Sequence, residues 1–575
     1  MAQRLREAAQ RPGSPVAQHG CERWSHICAA AGLAAVLAAF GCAAAPSGAR
    51  PPDGGSTPPT CSTLLVCGND GAVHTCDGQV VGALRDDCAA RGQDCSLGRC
   101  TTSACSVAES SARSLSGCLF YTVQPDNVAA DEAATTSYVI SNAGPDPANV
   151  RLEHATSGSS EGTDWELVKS VQILAGSAGR LQADSLQVTN PGTTPFSAVR
   201  ISSDRPITVS EIESDDARQP ATSTSGTVIL PLQSLGANYR AVTYAQEPTE
   251  DVQQWVGGRG GAGRVIIVGT QPGTKVSFRP VTALSGDVGQ FIGPLAAGDV
   301  LPIALNDGDV FQIYTNAPDE DLTGGLITVT AGAPVAVFSG NISTSYGSNQ
   351  TGINSADMAH EQMLPLSSWS TDYLAAPVPP QGSIGCTSFF GDSQGVGAGS
   401  IWRVVANQDS TEVDLGLPTP ETVWLDAGQA VTRVSATPFT VHATAPVMLT
   451  QGMDCEPSLS LGISVSSRAL LTDYAFAAVP VFDQMIAVVR PAGVEIDLDG
   501  VPIPDAKFRP VGDDFDWIQI PLPACNAATG ACLHRLTAPS PGFGVTIRGM
   551  DVSASFALTA PGLMRCDFNS NLCLN

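Results

Sequence analysis

The stretch Ile401–Gly452 decides the fold. It opens Ile401-Trp-Arg-Val-Val-Ala406, turns through Asn407-Gln-Asp-Ser410 and returns as Thr411-Glu-Val-Asp-Leu415. It then passes Leu425-Asp-Ala-Gly428 and closes Thr440-Val-His-Ala-Thr-Ala-Pro446-Val-Met-Leu-Thr-Gln-Gly452. Val404–Ala406 is an apolar run bounded by turn residues, as in a strand buried in a sandwich. Asn407–Ser410 is polar turn chemistry. Thr411–Leu415 alternates with period two, which predicts a half-buried return strand and hence a hairpin. Pro446 precedes a short apolar run, a position proline tolerates at a strand start.

The phrase recurs. Gly263-Arg-Val-Ile-Ile-Val-Gly-Thr-Gln-Pro-Gly-Thr-Lys-Val276, Leu295-Ala-Ala-Gly298 and Thr328 to Gly340, with Pro334, form a second copy. Tyr138–Asn142, Asn149–Leu152, Leu174-Ala-Gly176 and Arg200–Val209 form a looser one. Ile486–Gly500 with Phe543–Gly549 forms a degenerate fourth. A second element joins the copies. Leu230-Pro-Leu-Gln-Ser-Leu-Gly-Ala-Asn-Tyr239 matches Leu364-Pro-Leu-Ser-Ser-Trp-Ser-Thr-Asp-Tyr373, and Thr472-Asp-Tyr474 echoes both. The expected architecture is all-β: tandem antiparallel β-sandwich-like modules at 119–229, 230–360, 361–465 and 466–575, each of about 100–130 residues.

The chain has 575 residues, only 15% of them charged, with a net charge of −26. Lysine occurs only at Lys169, Lys275 and Lys507. That excludes nucleic acid as a partner, because phosphate neutralisation needs clustered cations. Abundant Gly and Pro with Val, Ile and Thr runs favour short strands and turns.

Residues 1–41 read as a signal peptide of the lipoprotein type. Arg4, Arg6, Arg11 and Arg23 precede an apolar run, Ile27 to Phe40, too short to span a membrane. The run ends Ala39-Phe40-Gly41-Cys42, similar to a bacterial lipobox, with Ala39 where Leu is usual. Cys42 is therefore the expected lipidation site and the membrane the expected partner through that anchor. Ordinary cleavage after Ala43–Ala45, giving a secreted protein, is the alternative. Residues 42–60, rich in Pro, Gly and Ser, form a tether.

Of 17 cysteines, eight cluster at Cys61, Cys67, Cys76, Cys88, Cys95, Cys100, Cys105 and Cys118. A core this small needs disulfides, and zinc-ligand spacing is lacking, so residues 61–118 read as a disulfide-rich module. The eight allow 105 pairings. Local bridges are expected for Cys525–Cys532 and Cys566–Cys573, with Cys386–Cys455 as the remaining pair. Such usage fits an oxidising compartment, at the bacterial cell envelope or outside the cell.

At its repeat the chain resembles the IgGFc-binding protein N-terminal family, over roughly residues 130–562. The residues that carry the resemblance are Leu230–Tyr239, Ala333-Pro-Val-Ala-Val-Phe-Ser-Gly340, His360-Glu-Gln-Met-Leu-Pro365 with Trp369 and Tyr373, the Arg403–Val413 hairpin, and the Leu498-Asp-Gly500 to Gly542-Phe-Gly544 segment. The resemblance implies a secreted or surface-anchored protein and carries over no catalytic motif.

Four stretches carry chemistry in form only. Gly258-Arg-Gly-Gly-Ala-Gly263 fits a dinucleotide pattern but precedes its strand rather than following one. Gly158-Ser-Ser-Glu-Gly162 fits a nucleophile elbow but has the flanks of a polar loop. His360-Glu361-Gln362 lacks the second histidine of a zinc protease, since position 364 is Leu, and reads as a turn or junction in which Glu361 and Gln362 satisfy backbone groups. Acidic runs at Glu211–Asp216, Asp319–Asp321 and Asp513–Asp516 lack calcium-loop spacing and read as solvated charge.

The reading is a non-enzymatic surface or secreted binding and adhesion protein for an extracellular protein or glycan. It has no cofactor, no metal and no catalytic residue. A secreted hydrolase or carbohydrate-active protein, and a structural envelope or matrix component, are the alternatives. The ligand site is expected where the copies differ, as at Gly340–Ala359.

Overall fold

The structure, a computed structural model, describes residues 65–559 except 78–79, 111–113, 127–134, 160–161, 185, 214–223, 247–260, 286–291, 345–356, 378–399, 436, 454–460, 480–482, 523–530 and 552–553. The signal segment, Cys42, the tether, Cys61, Cys386, Cys455, Cys525, Cys566 and Cys573 therefore lie outside the described residues. So do Gly258–Gly260 and most of the Gly340–Ala359 stretch.

The described residues are nearly all strand, with one α-helix, Ser103–Glu109, whose first turn is capped by Thr102 accepting from Cys105 N at 3.3 Å. The cysteine-rich module holds a three-stranded meander and a short hairpin, Asp94–Ser96 with Arg99–Thr101. Three disulfides, Cys67–Cys95, Cys88–Cys100 and Cys105–Cys118, tie it together, and Cys76 is disulfide-bonded too. Cys88, Cys105 and Cys118 are buried while Val80, Leu84 and Val107 are exposed, so the bridges do the work of a core. Cys105–Cys118 fastens the helix to Gly117–Thr122, the first strand of the sandwiches.

Beyond it one seven-strand scheme appears four times. In the copy around Ile401, a joining strand Ser370–Ala375 leads to the opening strand Ser400–Ala406 and the return strand Thr411–Leu415. Glu421–Leu425 and Ala430–Ser435 follow, then a long strand Phe439–Met453 and a closing strand Leu461–Ile463. The long strand serves both sheets: Ala443 pairs with Val413 of the return strand and Gly452 with Ile401 of the opening strand. Pro446 lies at the crossing. Val199–Glu213 does the same around Pro206 in the first copy. In the second the strand is split into Leu326–Ala331 and Ala336–Thr344 around Pro334, and in the fourth into Cys532–Thr537 and Gly544–Asp551 around Pro541. Proline has no N–H for a ladder, so it costs least where a strand changes partners.

The recurring tyrosines pin this corner. Tyr239 O–H donates to Val335 O (2.8 Å) and accepts from Gly236 N (2.6 Å). Tyr373 donates to Val447 O (2.8 Å) and accepts from Ser370 N (3.2 Å). Tyr474 donates to Phe543 O (2.8 Å). Each pins a carbonyl just past the corner proline. In the first module the corresponding ring is Phe120, without a hydroxyl, three residues after Gly117, which pairs with Ile207. Tyr239→Phe and Tyr373→Phe each strip a buried carbonyl of its partner, together with an N–H that is partly buried at Gly236 and buried at Ser370. Each is expected to lower stability by about 1–3 kcal/mol, measured by urea unfolding. A cost near zero at both sites would show that the pin is ornamental.

The opening strands are apolar on both faces for a reason that lies between modules. Val265 and Ile267 face their own core, whereas Ile266 and Val268 join the core of the first module. Trp402, Val404 and Ala406 face their own core, whereas Ile401 and Val405 pack with the second module. Ile486 and Val488 face inward, whereas Ala487 and Val489 pack on Leu374 and Ala376 of the third. Each module thus leans on the one before it. The circle is closed, because residues of the first and fourth modules share one core, Ile140 and Val228 with Phe476 and Ile547 among them. The four closing strands meet at the centre. Ser225–Ile229 lies beside Asp357–Gln362 and Ala554–Thr559, and Leu461–Ile463 beside the latter two.

One correspondence read from sequence shifts. Asp426-Ala-Gly428 matches Asn306-Asp-Gly308, not Leu295–Gly298. Both turns join the same two strands of their modules, and both glycines have left-handed φ, 83° and 79°. A small-small-Gly triplet marks any tight turn, so the triplet alone misaligns the copies.

Candidate functional site

The residues singled out by sequence collect in two kinds of place, the central hub and the joints between modules. The hub draws polar residues from every module: Glu211 and Glu213 from the first, Arg264, His360 and Glu361 from the second, Gln451 from the third and Arg548 from the fourth. All are buried, with Glu211 and Arg264 at 0% exposure. The expectation of solvated charge at Glu211–Asp216 is therefore overturned for Glu211 and Glu213. The remaining residues, 214–216, lie outside the described residues. Glu211 accepts from Thr122 Oγ1, and Glu213 from Thr136 Oγ1 at 2.8 Å. His360 Nε2 stands 3.5 Å from Glu211 Oε1, with its ring stacked on Phe338 at 5.0 Å.

Burial, reinforced by Glu213, pushes the Glu211 carboxyl well up, against the pull of Thr122 and Arg264. Burial, helped by Arg264, pushes His360 well down, so its ring is neutral. Burial raises Glu361 well above the carboxylate range, opposed by Thr227 and Arg548, and lowers Arg548 to about 10. Arg548 donates to Gln451 Oε1, linking the fourth and third modules. His360-Glu-Gln362 is thus part of a central strand rather than a turn. Gln362 does satisfy a backbone group, accepting from Leu230 N at 2.7 Å, but Glu361 does not.

One joint uses a second acidic run, Asp319–Asp321, while Asp513–Asp516 stays within the fourth module. Arg403, from the opening phrase, donates to Thr243 O, Thr323 Oγ1 (2.9 Å), Asp321 Oδ2 (3.1 Å) and Thr432 Oγ1 (3.0 Å), and lies 4.9 Å from the Tyr244 ring centroid. Asp319–Asp321 is therefore a turn that receives the next module. Within it, burial raises Glu320, but the Ser285 side chain and the backbone N–H groups of Asn316, Ser285 and Ala317 outweigh this and hold it low. Asn407 accepts Arg240 through its side chain and carbonyl, at 3.5 and 3.3 Å, so this turn residue is also a clamp. Asp516 accepts from the buried Arg490 at 3.4 Å.

Between the first and second modules, the turn Asn306–Asp309 plugs into the first. Asp307 accepts from Trp165 Nε1 (3.1 Å) and Tyr121 O–H (3.0 Å), and Gly308 O accepts from Ser197 N and Ala198 N. Asp307 is half-buried as a residue, but its carboxylate is enclosed, and burial first of all pushes it up to about 6. The folded state then holds a proton that the unfolded chain releases near pH 4. Stability from this joint is full below about pH 4 and falls as pH rises to about 6, by at most about 3 kcal/mol. Asp307→Asn should flatten that slope, since Tyr121 O–H can accept from the amide and donate to Thr270 O. Melting temperatures at pH 4, 5, 6 and 7.5 test this, and an unchanged slope in the variant would refute it.

Catalytic patterns dissolve into structure. Gly158 and Ser159 end one strand and Gly162 starts the next, a hairpin tip with no following helix. Besides His360 at the hub and His74, which bonds Asp70 (2.9 Å) and Gly82 O in the cysteine-rich module, two histidines hydrogen-bond carboxylates, His442 with Asp372 (2.6 Å) and His534 with Asp499 (2.7 Å). Neither ring has a hydroxyl on its other nitrogen among the described residues. No group of three or more candidate metal ligands occurs among the described residues.

A profile of the family described as IgGFc binding protein matches residues 225–549, more than half of the chain. The chain belongs to this family. No curated protein and no solved structure matches it. The matched stretch starts on Ser225, the first residue of the first closing strand, and ends beside Arg548. The family region is thus the second and third modules, the hub strand before them and most of the fourth. The strands of the first module before Ser225, included in the sequence-based resemblance, lie outside the match.

Proposed function

We propose that the protein is a non-enzymatic binding protein held on the outside of the cell through a lipidated Cys42, taking an extracellular protein or glycan. The family match carries this reading. Two observations support it. Three disulfides suit an oxidising compartment. Four modules locked edge to edge offer wide, rigid outer faces, which suits recognition without an ordering cost.

The full chain, immobilised, should retain immunoglobulin, mucin, polysaccharide or whole cells. Retention of none would move the reading to a structural envelope component. Cys42→Ser should shift the protein from the membrane to the soluble fraction, and an unchanged membrane fraction would remove the anchor.

A further inference from the structure

The outer face of the third module carries the one exposed tryptophan among the described residues. Trp424 is 63% exposed on the sheet formed by Glu421–Leu425, Thr411–Leu415, the long strand and Ser370–Ala375. Across this sheet Glu412 pairs with Trp424, Asp414 with Thr422 and His442, and His442 with Asp372. Paired residues share a face, so these six side chains form one flat platform. Its polar members are held in place: Thr422 Oγ1 donates to Asp414 (2.6 Å), His442 contacts Asp372, and Arg468 binds Asp372 from the side. At the matching positions the second module has Lys275 opposite Ala304 and Ser277 opposite Pro302, with no aromatic ring.

We infer that this platform binds a neutral glycan chain, one sugar ring lying on the Trp424 indole and its hydroxyls bonded by Asp414, Glu412 and His442. This rests on the binding reading above and names its ligand class. The indole face is negative and attracts the polarised C–H edge of a sugar ring. Carboxylates and imidazole accept from and donate to hydroxyls in the same plane. A protein-docking centre would instead surround the tryptophan with further apolar side chains, and here its neighbours are charged or hydroxylic. Three carboxylates, Glu412, Asp414 and Asp372, disfavour an acidic sugar.

The test is titration of the full chain with neutral cello-, chito-, manno- and laminari-oligosaccharides by calorimetry. At least one should bind, Trp424→Ala should weaken it at least about tenfold, and Asp414→Asn should weaken it less. Lys275→Ala, on the second module, should leave affinity unchanged. Trp424 is exposed, so its truncation leaves the core intact. Failure of every oligosaccharide, or equal affinity in Trp424→Ala, overturns the proposal. If the chain still captures immunoglobulin or mucin and Trp424→Ala does not alter that, the glycan platform is wrong and the binding reading stands. If the chain captures nothing, both fall.

Discussion

Arg264→Met should destabilise the protein by about 3–5 kcal/mol at pH 7.5, and by clearly less at pH 5. Arg264 is fully buried, its guanidinium donates to Asp126 O, and it supplies positive potential to Glu211 and Glu213. Without it those carboxylates lose the Arg264 charge that opposes the cost of their burial. Burial already drives Glu211 toward its neutral form, so acidification lets it take up a proton and relieves the penalty. The pH dependence separates this from loss of packing, because a cavity costs the same at both pH values. Glu211→Gln in the Arg264→Met background should recover part of the loss, a coupling read by a double-mutant cycle. Equal destabilisation at pH 7.5 and pH 5 would show that the hub is held by shape and not by charge.

Arg403→Ala should cost about 3 kcal/mol or more and should loosen the joint between the second and third modules. The side chain is nearly buried and bridges Thr432 of its own module to Thr243, Asp321 and Thr323 of the preceding one. Truncation removes the guanidinium from Thr243 O and from Asp321 Oδ2, leaving Thr243 O with Thr323 Oγ1 (2.8 Å) and the Asp321 carboxylate with Thr243 Oγ1 (2.6 Å) and Thr323 N (2.8 Å) only. Arg403→Lys keeps the charge but has no planar fork, so it cannot serve the acceptors on both sides at once. It should recover less than half of the loss. Urea midpoints for the two variants check this, and a lysine variant as stable as the parent would mean that only the charge matters.

How much of this was legible in the sequence follows from where each property is decided. Strand and turn are local, and the Thr411–Leu415 alternation is borne out residue by residue: Thr411, Val413 and Leu415 buried, Asp414 exposed. The apolar run Val265–Val268 is buried throughout, as expected. Proline at 334 and 446 signals a strand boundary, but the switch between sheets depends on strands that lie well outside the local sequence, such as Val413 for Ala443 and Ile401 for Gly452. Glu211 and Glu213 looked solvated because an acidic run says nothing of which module closes over it. Their burial is set by Arg264, Thr122 and Thr136, none of them neighbours in sequence. The repeated tyrosines were visible as repetition only. Their role is a hydrogen bond across the corner, and Phe120 shows that one module folds without it.

The four modules form one closed body around a buried polar hub, not beads on a string. Native-state hydrogen exchange of the full chain addresses this directly. The amides of Ser225–Ile229, Asp357–Gln362 and Gly544–Asp551 should exchange together, at the free energy of global unfolding. Exchange of these strands at separate, lower free energies, module by module, would contradict it.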